Sequence, residues 1–223
     1  MNGSVKSGSA AKQTRGERAR DTRRRILAAA RAEFVANGYH AARMATIAER
    51  ANVSVQMLYF AFGTKAKLMS ALIAVAVLGE GRVAPPDTEW YAALVGESTA
   101  AGVVRSFVLG SGEIFERAGP LLLSQRAGAT TDPELAADAA AGDALRAATY
   151  RDVIELAAAK GPLRHGLDID AATDILVAIA SPAMHTEFVS DRGWSHDRTI
   201  AWLAETLPQL ICGDAQEHGA VCR

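Results

Sequence analysis

The sequence predicts an all-α protein, on three observations. Apolar residues recur at helical spacing from Ile26 onward. Val, Ile and Thr never alternate over a run long enough for a strand. Capping residues, glycines and prolines punctuate the chain at helix-length intervals. With 223 residues, 49% of them apolar, the chain has enough to bury a sizeable core.

Each element has its own signals. Residues 1–20 are rich in Gly, Ser, Lys and Arg and offer little to bury, which predicts a flexible basic arm. A capping residue at Asp21 or Thr22 opens a first helix, whose stripe is Ile26, Leu27, Ala30 and Phe34 and which closes at Asn37-Gly38. A short second helix carries Met44, Ile47, Ala48 and Ala51. Asn52-Val53-Ser54 turns the chain, and Ser54 caps a third helix from Val55 to about Phe62. Gly63-Thr64 breaks it, with Thr64 capping a longer helix through Leu68, Leu72, Ile73 and Val77. Beyond Pro85-Pro86 the pattern predicts helices over 97–118, 119–127, 133–160, 170–190 and 196–211. Their boundaries are Gly119-Pro120, Thr131-Asp132-Pro133, Gly161-Pro162 and Asp191-Arg192-Gly193, and Asp170 is the expected cap of the helix it begins.

The formal charge of −1 conceals a division: residues 1–69 carry +9 and the remainder −10. One end suits a polyanion. The acidic stretch from Asp132 to Asp152 reads as a solvated face that also repels misplaced DNA. The longest apolar run, Ala71 to Leu78, is far below the roughly 18 residues of a membrane span. No apolar segment of signal-peptide type follows the basic N-terminus. Cys212 and Cys222 lack metal-ligand spacing, so the expected setting is the reducing cytoplasm and the thiols are expected to be inert. His165 with Asp168 or Asp170 surrounds a turn and reads as a solvated loop rather than a metal site. No Walker-type loop, HExxH or GxSxG is present, so neither an enzyme nor a cofactor is expected.

Three short helices with a tight turn at Ala51-Asn52-Val53 have the layout of a helix-turn-helix. A major groove about 12 Å wide admits one α-helix. With Ser54 as cap, Leu58 and Phe62 point into the small core, Val55, Gln56, Tyr59 and Phe60 face outward, and Met57 lies on the border. Gln56 can offer its amide to adenine N6 and N7, or equally contact a phosphate or water, while Val55 and Met57 suit a thymine methyl. Tyr59, Lys65, Arg43 and Thr46 suit phosphates, as do Arg23 and Arg24 in the arginine run from Arg15 to Arg25.

The stretch from Arg24 to about Leu72 resembles the DNA-binding domain of the TetR family of transcriptional regulators. The residues that carry the resemblance are the Ile26/Leu27/Ala30/Phe34 stripe, Gly38-Tyr39, Ile47-Ala48, Ala51 with Val53-Ser54, Leu58-Tyr59, Phe62, and Lys65 before Leu68. Departures fall at Asn52, where the family usually has Gly, at Arg43 in place of Thr or Ser, at Val55-Gln56-Met57 in place of Lys-Gly-Thr, and at Ala61 in place of His. The segment from Asp174 to Leu207 is similar to the final helix pair of one branch of the family.

The resemblance implies a DNA-binding domain over 21–66, a helical ligand-binding and dimerisation domain over 67–212, and a tail over 213–223. It further implies a homodimer formed through the last two helices, about 170–211, double-stranded operator DNA as partner, and a small-molecule effector that moves the helix after Lys65. Phe107, Phe115, Leu122, Gln125, Tyr150 and His185 are the candidate ligand residues, because they join apolar surface to a few polar handles on the middle and late helices; His185 is open also to a core or dimer-face role. Two other functions remain open at this point: a nonspecific architectural DNA binder, and a ligand-binding or interaction module whose helix-turn-helix has lost DNA affinity.

Overall fold

A computed structural model describes residues 14–79, 81, 84 and 87–213. Ten α-helices run in order among them: α1 (Arg15–Ala41), α2 (Met44–Arg50), α3 (Val55–Phe62), α4 (Lys65–Leu78), α5 (Glu89–Gly96), α6 (Ala100–Gly128), α7 (Pro133–Lys160), α8 (Ile169–Ile179), α9 (Pro182–Thr186) and α10 (His196–Ile211). A π-turn over Glu187–Asp191 follows α9. No strand forms among the described residues.

Most helix starts are set by side-chain caps. Ser54, Thr64, Asp132 and Ser195 each accept a backbone N–H of the first turn that follows, satisfying a donor that has no partner within the helix. The first helix begins at Arg15 rather than at Asp21 or Thr22, because Thr14 and Glu17 form a reciprocal capping box. Residues 15–20 of the expected flexible arm are therefore helical, and residues 1–13 lie outside the described ones. Gly38 interrupts α1 at φ 69°, which sends the chain round to Tyr39. Asp168, not Asp170, caps α8: its carboxylate accepts the Ala171 N–H at 2.8 Å, while Asp170 pairs with Arg151.

Two boundaries expected from the sequence are absent or moved. Gly119-Pro120 does not divide α6, which runs unbroken through it. The residue before a proline is pushed out of the helix by clashes of the ring with its backbone N–H and its Cβ, and Gly119, without a Cβ, is relieved of the second. The helix expected over 170–190 is instead divided at Ala180 (ψ 64°), where Ser181 caps a new helix that has Pro182 in its first turn. α5, capped by Thr88, is an element the periodicity argument did not pick out.

The core falls into two clusters. One joins α1–α4 to the ends of α6 and α7 through Ile26, Phe34, Ile47, Leu58, Leu68, Met69, Leu121 and Leu135. The other fills the space among α5, α6, α7, α8 and α10. α6 passes through both and is notched by glycines where neighbours come close. A Cβ on Gly110 would lie 2.5 Å from Trp90 Cδ2 of α5, one on Gly112 3.1 Å from Ile200 of α10, and one on Gly119 2.6 Å from Thr186 Oγ1 of α9. On Gly128 it would lie 2.6 Å from Tyr39 Cγ of α1.

Candidate nucleic-acid interface

The α2–α3 unit is held from within. Ile47, Ala48, Ala51 and Leu58 are buried, and Phe62 nearly so, against Ile26, Ala30 and Phe34 of α1. Asn52 takes up φ 52°, a left-handed conformation Asn accepts more readily than most residues, and Val53 N–H then donates to Ala48 O at 3.0 Å. The guanidinium of Arg25 donates to the Ala51 carbonyl, closing the end of α2. Ser54 Oγ accepts the Met57 N–H at 3.0 Å and starts α3.

This arrangement turns one face of α3 to solvent. Phe60 is 93% exposed, Met57 49%, Tyr59 47% and Val55 40%, and Gln56 is exposed beside them. Ser54 is also exposed, and Thr46, in the first turn of α2, is half-buried. Cations lie on the neighbouring helices. Arg43 stands exposed at the start of α2 and makes no side-chain cap; its N–H donates to Glu33 Oε1 at 3.4 Å. Arg23 lies 4.7 Å over the Phe62 ring, a cation–π contact, and Arg24 pairs with Asp21 at 2.8 Å. Glu33 is buried beneath α2, with Arg50 Nη1 3.4 Å from Oε2 as its counter-charge.

Lys65 occupies a more constrained position than its place at a helix start suggests. Its ammonium donates to His40 O at 3.3 Å and lies 4.6 Å over the Tyr39 ring. Burial pushes its pKa down, against the opposing pull of Asp132 and Glu33. Tyr39 in turn is buried and donates its hydroxyl to Asp132 Oδ2 at 2.5 Å. Burial and that carboxylate push the Tyr39 pKa up, and the Tyr39 hydroxyl holds Asp132 below its ordinary range.

These contacts belong to a joint between the first four helices and the rest. Arg31 donates to Arg117 O at 2.7 Å, His40 Nε2 lies 3.2 Å from Ala127 O, and Arg117 Nε donates to Ala76 O at 3.1 Å. Thr64 donates to Glu134 and Ser70 to Asp138, while Lys67 pairs with Glu134 at 3.7 Å. The first turns of α7, expected as a solvated acidic face, are thus fastened to α4. Sequence reading missed this set. Alternating acids one helical turn apart at 134 and 138 were its only trace.

The candidate ligand residues lie apart from this interface. Phe107 and Tyr150 meet edge to face in the second core, with ring centroids 4.7 Å apart, and the Tyr150 hydroxyl donates to Ala180 O at 2.7 Å. Phe115 and Gln125 are buried on α6, and Leu122 is half-buried against the first core. His185 is buried, with Nε2 2.9 Å from His196 Nδ1, and burial pushes its pKa down. None of the six lines the groove of about 270 Å³ between α4, α5 and α6, where Val77, Trp90, Leu109 and Arg117 meet, nor the open groove bounded by His165, Ile175 and Leu210. Among the described residues no group of three or more His, Cys, Asp or Glu could hold a metal ion, and no single helix is long and apolar enough to cross a membrane.

Residues 26–72, the span of α1 to α4 that builds this interface, match the model of the bacterial regulatory proteins of the tetR family. That segment is similar to the DNA-binding domain of the TetR family. Solved structures share the fold over nearly the whole chain. FadR from Bacillus subtilis, solved with stearoyl-CoA, is 17% identical with a TM-score of 0.65, over 84% of this chain and 98% of that one. A transcriptional regulator from Saccharomonospora viridis, solved with choline, is 20% identical with a TM-score of 0.66, over 87% and 99%. NalD, the secondary repressor of the MexAB-OprM multidrug efflux pump in Pseudomonas aeruginosa, is 20% identical with a TM-score of 0.63, over 89% and 99%. At such identities the likeness is one of fold. No curated protein is a detectable sequence relative of this chain.

Proposed function

We propose that this protein is a sequence-specific DNA-binding transcriptional regulator, a cytoplasmic homodimeric repressor that a small molecule releases from its operator. The carrying observation is the exposed face of α3, with Arg23 folded over the Phe62 ring and Arg43 exposed at the start of α2, while Leu58 and Phe62 anchor it from below. The chain acts by binding, without chemistry of its own. Two copies joined through α8–α10 would present two α3 helices to major grooves about one turn apart. The aromatic group Phe188, Trp194 and Trp202, with centroids 4.6–6.1 Å apart on the half-buried side of that region, supports such a contact.

The effector would bind among the middle helices and move α4. Three contacts support transmission by that route: α4 is held by Glu134 and Asp138 of α7 and by Arg117 of α6. A ligand favouring one spacing of the two heads shifts the population away from the DNA-bound one. Phosphate contacts by Arg23, Arg24, Arg43, Thr46, Ser54, Tyr59 and Lys65 would set register, and Val55, Gln56, Met57 and Phe60 would meet the bases.

Fluorescence anisotropy on duplexes selected from the source genome tests this reading. With roughly 6–10 phosphates neutralised, affinity should fall by about 10³–10⁵ between 50 and 200 mM salt. A flat salt response would refute it. A selected site should win over random duplex by about 10³ or more, and equal competition would favour an architectural binder instead. Replacing Tyr59 and Lys65 with Ala should abolish retention while preserving the dimer in sedimentation; unchanged retention would leave the helix-turn-helix without a DNA role.

A further inference from the structure

Among the described residues, four of the nine exposed large apolar side chains belong to the eight residues of α3. α3 carries no charged side chain, and Gln56 is its one amide. The cations lie on other elements: Arg43 stands exposed at the start of α2 and Arg23 of α1 folds over the Phe62 ring, while Arg50 of α2 and Lys67 of α4 are paired with Glu33 and Glu134. The surface thus has a cationic frame around an uncharged apolar centre. The frame selects a polyanion over a neutral partner. The centre then has to find apolar surface inside that polyanion.

The base edges of a major groove offer only one apolar feature, the C5-methyl of thymine. Guanine is read by Arg or Lys reaching O6 and N7, and α3 has neither. The amide of Gln56 matches N6 and N7 of adenine, the partner of that thymine. Resting on the DNA-binding function proposed above, we infer that α3 reads A·T pairs: Val55, Met57 and Phe60 pack on thymine methyls and Gln56 bridges adenine. The occupant of this face is duplex DNA whose half-sites place thymines under α3. Specificity rests on methyl burial in the centre, and affinity on the arginines of the frame.

Selection of duplexes by the full-length protein, followed by anisotropy on the winning sequence, tests the assignment. Selected half-sites should carry A·T at the pairs protected by α3. Deoxyuridine in place of one of those thymines removes a single methyl and should weaken binding about fourfold, and roughly 15-fold when both half-sites are changed. The same exchange outside the protected pairs should change nothing. Gln56→Ala should erase a preference of roughly 5- to 150-fold for adenine at one base pair, and Gln56→Arg should move that base pair toward guanine; Gln56 is exposed, so the fold is expected to persist in both variants. Guanine-rich winners, or indifference to uracil under α3, would overturn the assignment while leaving DNA binding intact. Failure to retain any duplex at 50 mM salt, or preference for anionic phospholipid vesicles over duplex, would overturn the DNA-binding function and this inference together.

Discussion

Substituting Gly128 with Ala tests the joint between the two halves directly. Gly128 ends α6, and an added Cβ would lie 2.6 Å from Tyr39 Cγ and 2.8 Å from Leu135 Cδ2. Neither neighbour can withdraw easily. Leu135 is fully buried, and the Tyr39 ring is gripped by Asp132 at its hydroxyl, by Lys65 on one face and by Phe34 at a centroid distance of 6.0 Å. Removing a helical glycine would by itself add about 0.5–1 kcal/mol, whereas forcing a methyl into a filled core costs about 1–3 kcal/mol. The net expectation is a loss of about 1–2 kcal/mol, or about 2–8 °C in Tm for a chain of this size. Urea unfolding and calorimetry supply the measurement. In a Tyr39→Ala background the space opens, and the cost of Gly128→Ala should shrink by at least about 1 kcal/mol. Wild-type stability in the single variant, or an undiminished cost in the double one, would refute this account of the joint.

Other outcomes follow from the same geometry. Leu58→Ala, at a fully buried position, should cost about 2–5 kcal/mol in chemical denaturation, whereas Phe60→Ala, 93% exposed, should stay within about 0.5 kcal/mol and reduce DNA retention. Burial holds the His185 pKa below its ordinary 6.5, so the folded state resists protonation there more than the unfolded chain does. The stability that neutral His185 contributes is present above pH 6.5 and declines as pH falls below it; His185→Phe should flatten that part of a urea-midpoint profile measured from pH 8 to 5. Asp132→Ala removes both the cap of α7 and the acceptor for Tyr39, and should lower stability by about 1–2 kcal/mol in the same assay at pH 7. The Cys212 thiol, pushed up to about 11 by burial, should alkylate slowly at pH 7.5 until denaturant is added, as peptide mapping would reveal.

The parts of the fold legible in the sequence are those governed by local chemistry. Ser54, Thr64 and Pro133 behind Asp132 mark helix starts because a cap acts within one turn. The outward set on α3 was legible from 3.6-residue spacing for the same reason. Thr14 and Glu17 carried an equally local signal, hidden by the surrounding arginines and glycines. Long-range compensation was not legible: α6 continues through Pro120 because of Gly119 and the packing of α9, and α7 turns its acids toward Thr64 and Ser70, about 70 residues away. The ligand candidates illustrate the remaining gap. Tyr150 and His185 look like free polar handles in sequence, yet Ala180 O and His196 already occupy them.

The glycine notches of α6 have a mechanical corollary. At 29 residues the helix is about 43 Å long. Gly110, Gly112, Gly119 and Gly128 key it to α5, α10, α9 and α1 in turn. Inserting one residue between Gly112 and Gly119 would rotate everything beyond it by about 100° and bring side chains, instead of bare backbone, against α9 and Tyr39. The rod can accept many changes of surface composition, but not a change in its count of residues. Evolution along this element is therefore free to substitute away from the four glycines and barred from inserting or deleting between them.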